Sequence, residues 1–318
     1  KGEFSEWKRL EFGIDIFTKV KGIVKFYLKS TAPDFELYMS PINFDPESPL
    51  KPISLPKSFS AKLSKDLGMY STLGLPHDTW ALEENVFDEK AFLKQADSIL
   101  SERKKIYYSK LHSYNNGILF AYFGMPDTIS HMFWRYLSDL NSPYHDTISS
   151  YYDKMDEIVG ETLNTIDKNT TLLILSDHGF SSFDYEMNVN TFLMKEGYLV
   201  LKEGEVGSGP LFDAVDWSRT RAYAAGYNSV YFNIKGREAE GIVDPRDIPQ
   251  LHKEIISKLM EVGNPFTSDK IMKHVYTRNE MGVVASDSNA PDLILGFYKG
   301  TRSSWDSAIG AVTSDVIK

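Results

Sequence analysis

Two short stretches each end in an acid and an imidazole. In Thr171-Leu-Leu-Ile-Leu-Ser-Asp-His-Gly-Phe180, five uncharged residues, Thr171 to Leu175, run into Ser176, Asp177, His178 and Gly179. In Gly117-Ile-Leu-Phe-Ala-Tyr-Phe123, a second uncharged run leads to Gly124-Met-Pro-Asp127, with His131 four residues further on. Carboxylate oxygens and imidazole nitrogens are the usual protein ligands of zinc and similar ions. Adjacent residues of a strand face opposite ways, so Asp177 and His178 share an ion only where the strand has ended, and Gly179 permits the bend. Alone, Asp177-His178 also reads as a polar strand cap. A second acid–imidazole couple at a second strand end turns the reading toward metal ligation by Asp127, His131, Asp177 and His178.

Other residues carry less. Ser176 has the chemistry of a nucleophile, but no base lies near it in the sequence and its side chain is expected to point back into the fold. Arg135 has the planar fork that suits a phosphate, though a structural ion pair is the commoner use. His77, His112, His145, His252 and His274 lack a partnered acid at a strand end and read as surface or packing residues.

The elements that must position these couples follow from periodicity. Uncharged apolar runs suit parallel strands covered on both faces, so 117–123 and 171–175 are expected as strands. Between them, about Tyr144 to Ile166 carries a helical stripe of Ile148, Tyr152, Met155, Val159, Leu163 and Ile166. Strand, crossover helix and strand predict a parallel pair whose ends deliver both couples to one sheet edge. Asp88 is placed to cap a helix reaching about His112. Thr191 to Leu199 reads as a short helix stopped at Gly197. Ser229–Ile234 and Asp292–Tyr298 read as strands, Asp247 to Val262 as a helix, 203–210 as a loop, and 301–318 shows no period. Residues 1–60 look β-rich, with strands at 23–28 and 35–39 and five prolines (Pro41, Pro46, Pro49, Pro52, Pro56) excluding helix from 41–58. They read as an accessory element or insertion, or more simply as an irregular packing arm.

Composition narrows the classes. A chain of 318 residues suggests about two domains. A net charge of −9, without a basic stripe, argues against non-specific nucleic-acid binding. With no cysteine, disulfides, thiolate zinc sites and cysteine nucleophiles are excluded. No apolar run reaches the roughly 20 residues that span a bilayer. The first residues form no signal peptide, and without an initiator methionine the sequence reads as part of a longer protein. Compartment and oligomeric state are left open.

The motifs PDTISHMFWR (126–135) and LLILSDHGF (172–180) resemble those of the type I phosphodiesterase/nucleotide pyrophosphatase family, within the alkaline phosphatase superfamily. Weaker likeness comes from VNTFLMKEGYL (189–199), SVYFNIKGRE (229–238) and PDLILGFYKG (291–300). The resemblance runs from about residue 60 onward. It implies an α/β fold, alkaline-phosphatase-like, with a mostly parallel sheet flanked by helices, so that 61–318 is expected to be a partial catalytic domain behind the β-rich 1–60. It implies two divalent ions, zinc or alternatively manganese, with Asp127 and His131 on one and Asp177 and His178 on the other. The substrate would be a small phosphate ester or nucleotide, with Arg135 as a substrate contact. The family's nucleophile, its first aspartate ligand and its last histidine ligand find no counterpart here. The chain alone is therefore expected to bind metal weakly and hydrolyse nothing. A sulfatase or metal-dependent mutase of the same superfamily, and a non-catalytic binding protein on the same scaffold, are the alternatives.

Overall fold

The longest helix shows how local sequence sets the architecture. Asp88 accepts a hydrogen bond from the Ala91 N–H at 2.7 Å, satisfying one of the donors that a helix start leaves open. From there α3 runs Glu89–Ser113 and buries Phe92, Ala96, Ile99 and Leu100 on one side. The computed structural model that shows this describes residues 1–13, 19–282 and 289–318. The chain divides into two compact units, Lys1–Asp177 and His178–Lys318.

The first unit opens with short antiparallel strands. β1 (Lys8–Gly13), β2 (Lys19–Val24) and β5 (Asn43–Phe44) form one sheet, and β3 (Phe26–Ser30) pairs with β4 (Glu36–Met39) in another. Then come α1 (Phe59–Leu67), α2 (Thr79–Glu83), α3, α4 (Met125–Phe133) and α5 (Thr147–Thr165). Their shared core holds Phe92, Ile99, Ile129, Phe133, Ile148, Tyr151 and Ile158, with Tyr27 of β3 and Phe87.

The second unit has its own core. β7 (Ala222–Ala224), β8 (Ser229–Phe232), β10 (Leu293–Phe297) and β9 (Met272–Thr277) make a four-stranded antiparallel sheet in that spatial order. α7 (Ile248–Glu261) packs on β9 and buries Leu251, Ile255 and Leu259. β6 (Phe183–Met187) pairs in parallel with β11 (Gly300–Ser303), while α6 (Val189–Lys195) and the short α8 (Trp305–Ala308) follow these two strands. The helix–strand alternation is that of an α/β protein.

Two elements differ from the expectation. Among the described residues, 117–123 and 171–175 belong to no strand pair, although the helix between them forms as α5. Most of their apolar side chains face outward, with Ile118 94% and Leu175 84% exposed, although Phe123 packs against the core of the first unit. β-propensity describes fit to a pleated, half-buried surface, and it makes a strand only when a neighbour takes up the backbone hydrogen bonds. Neither run finds such a neighbour among the described residues, so the shared sheet edge inferred from them is not part of the described structure.

Candidate metal centre

α4 carries one acid–imidazole couple, and its sequence explains how. Gly124 stands at the N-cap and Pro126 lies in the first turn, where the missing N–H costs nothing. Met125, Ile129 and Phe133 recur every four residues and are buried, which fixes the inward face. Asp127 and His131, also four apart, lie round the helix from that stripe with side chains 42% and 60% exposed. Asp127 sits in the first turn, where the helix dipole favours a negative charge.

The Asp127 Oδ1 to His131 Nε2 distance is 3.5 Å. Two ligands held at about 2.1 Å from a tetrahedral ion stand roughly 3.4 Å apart. The couple therefore fits one edge of a coordination shell. Among the described residues, no three His, Asp or Glu side chains form a group able to hold an ion, so the fit is that of a pair.

The second couple lies at the boundary in the chain between the two units, Asp177 ending one and His178 beginning the next. The His178 Nδ1 donates to the Gly179 carbonyl at 3.0 Å. In the neutral ring this leaves the lone pair on Nε2, the tautomer that a metal ligand requires. Arg135 donates from Nη2 to Glu89 Oε1 at 2.9 Å and lies over the Tyr136 ring. The hydrogen bond from Tyr136, with help from Arg135, keeps the Glu89 carboxyl below its ordinary range.

His77 is a neighbour of this helix that spacing did not single out. Its Nδ1 lies 3.4 Å from Thr128 Oγ1, the residue after Asp127, and its buried Nε2 has no hydrogen-bond partner. Burial, reinforced by Arg103, lowers its pKa to about 4. It is a neutral ring supporting the first turn of α4. The sequence offered no signal for this, because His77 lies 51 residues from Thr128.

The family model described as type I phosphodiesterase / nucleotide pyrophosphatase matches residues 28–304, most of the chain. Neither the curated proteins nor the solved structures contain a match to it.

Proposed function

The chain belongs to the type I phosphodiesterase/nucleotide pyrophosphatase family, and from that premise we propose that Asp127 and His131 hold one divalent ion and Asp177 and His178 a second, in phosphoester hydrolysis. The reading rests on the α4 couple, whose donor separation suits a single ion. A mixed oxygen and nitrogen donor set favours zinc, with manganese the alternative.

Bound at these residues, divalent ions would supply Lewis-acid charge beside a phosphoryl group. The chain's own residues supply charge and orientation. Asp127 brings a negative charge, and His131 coordinates as the neutral ring. Arg135 retains guanidinium donors beyond the one given to Glu89. Its side chain is 64% exposed, and such a surface pair contributes at most about 1 kcal/mol, so a phosphate can recruit it at small cost. The substrate on this reading is a small phosphate ester or nucleotide. On this reading residues 61–318 are part of a catalytic domain and 1–60 a β-rich addition, of which the family match takes in residue 28 onward.

The test is zinc titration followed by inorganic phosphate titration, both by calorimetry on the whole chain. Zinc should bind, and phosphate should bind only to the zinc-loaded protein. Phosphate affinity that ignores zinc, or no zinc uptake, contradicts the reading.

A further inference from the structure

Two short runs of the first unit leave six large apolar side chains uncovered. Ile118, Phe120, Tyr122, Leu173, Ile174 and Leu175 are each at least 67% exposed. Single exposed apolar residues are ordinary, but alternate residues of one uncharged run are not scattered singly. Leu119 is half-buried and Phe123 packs against the core, so the run 118–123 is anchored on one side and open on the other. Its backbone is open as well. Among the described residues, no backbone–backbone hydrogen bond reaches 118–123 or 171–175.

The chemistry of this surface selects its occupant. Residues 118–123 hold no charge, proline or glycine and are mostly aromatic or branched, the composition of a segment that pairs with a copy of itself. An uncharged run offers no complement to a charged partner. The six side chains expose on the order of 900 Å², and a stable pair takes about 800 Å² from each partner. Contact between like surfaces across a two-fold axis closes at two copies.

We propose that this surface is the interface of a homodimer, in which 118–123 of one copy pairs antiparallel with the same run of a second copy. Phe120 then faces Phe120 and Ile118 faces Tyr122, aromatic and branched pairs of the kind that stabilise a ladder. Pairing supplies the backbone with the hydrogen-bond partners that the single chain lacks. Leu173, Ile174 and Leu175 contribute the rest of the covered area. Each copy carries a net charge of −9, so the copies repel one another and added salt should strengthen the pair.

Sedimentation velocity of the whole metal-free chain, over a range of protein concentrations and at low and high salt, tests this. Phe120→Lys and Leu175→Lys each place a charge in the contact. Both side chains are exposed in the single chain, so the variants should keep the parent's circular dichroism. The parent should form a dimer with a Kd on the order of 1 μM or tighter, and each variant should weaken it roughly tenfold or more. Amides of 118–123 should exchange slowly in the parent dimer and rapidly in Phe120→Lys. A parent that stays monomeric at about 100 μM, a dimer indifferent to both substitutions, or assemblies that grow beyond two copies would overturn the proposal. With no metal present, none of these outcomes bears on the metal reading.

Discussion

Asp127 Oδ1 and His131 Nε2 stand 3.5 Å apart, both outside the buried stripe of Met125, Ile129 and Phe133 on α4. One set of side chains anchors the helix and another is displayed by it. An exposed couple at this spacing contributes only about 0.5 kcal/mol to stability. Chemistry at this position is therefore separable from folding.

His77 should give the protein an acid-sensitive step. Its folded pKa of about 4 lies below the ordinary 6.5, so the unfolded chain takes up a proton first as pH falls. The stability associated with the neutral ring is complete above pH 6.5 and declines progressively toward pH 4. The loss is on the order of 3 kcal/mol. Urea titrations between these pH values should show the decline in the parent and a flatter profile in His77→Phe. Parallel profiles would count against it.

Arg237 and Asp292 should matter more to folding than any surface pair. Arg237 donates to both Asp292 oxygens, at 3.0 and 2.7 Å, and also to the Phe232 carbonyl. Asp292 accepts from the Phe232 N–H as well, and its side chain is 3% exposed. Arg237→Met takes the close cation from a buried carboxylate and leaves it only Arg278, 3.9 Å away, at a cost of about 3 kcal/mol. Denaturant unfolding reads this directly, and a loss under about 1 kcal/mol would contradict it.

Glu102 is the corresponding anchor of the first unit. Its Oε1 accepts from Trp7 Nε1 at 2.9 Å and Lys25 Nζ at 2.8 Å, and its Oε2 from the Ser71 N–H at 2.9 Å. Lys25 and Glu102 are 14% and 15% exposed. Glu102→Ala should cost about 3 kcal/mol and speed proteolysis of residues 1–40, because the attachments of Trp7 and Lys25 are lost together. An unchanged proteolysis rate would show that those residues are held by other contacts.

What the sequence revealed follows the range of the interactions. α3 was readable because Asp88 and its capped Ala91 N–H are neighbours in the chain. The stop after α6 was readable because Gly197, at φ 75°, is the residue type that such a turn favours. β11 and α8 were not, since 301–308 has no period of its own. Ser304 and Ser307 there are fixed by Met187, Asn188 and Val189, more than a hundred residues earlier. The runs 117–123 and 171–175 carried a strand pattern, but pattern supplies no pairing neighbour. The proximity of Asp127 and His131 was legible in their four-residue spacing, whereas the contact of His77 with Thr128 required the fold.

The most direct test is calorimetric zinc titration of the whole chain beside Asp127→Asn and His131→Ala, with thermal melts as the folding control. Zinc affinity should fall roughly tenfold or more in each variant while the melts stay within a few degrees of the parent. Parental zinc affinity in both variants would contradict the assignment of α4 as a metal-holding helix.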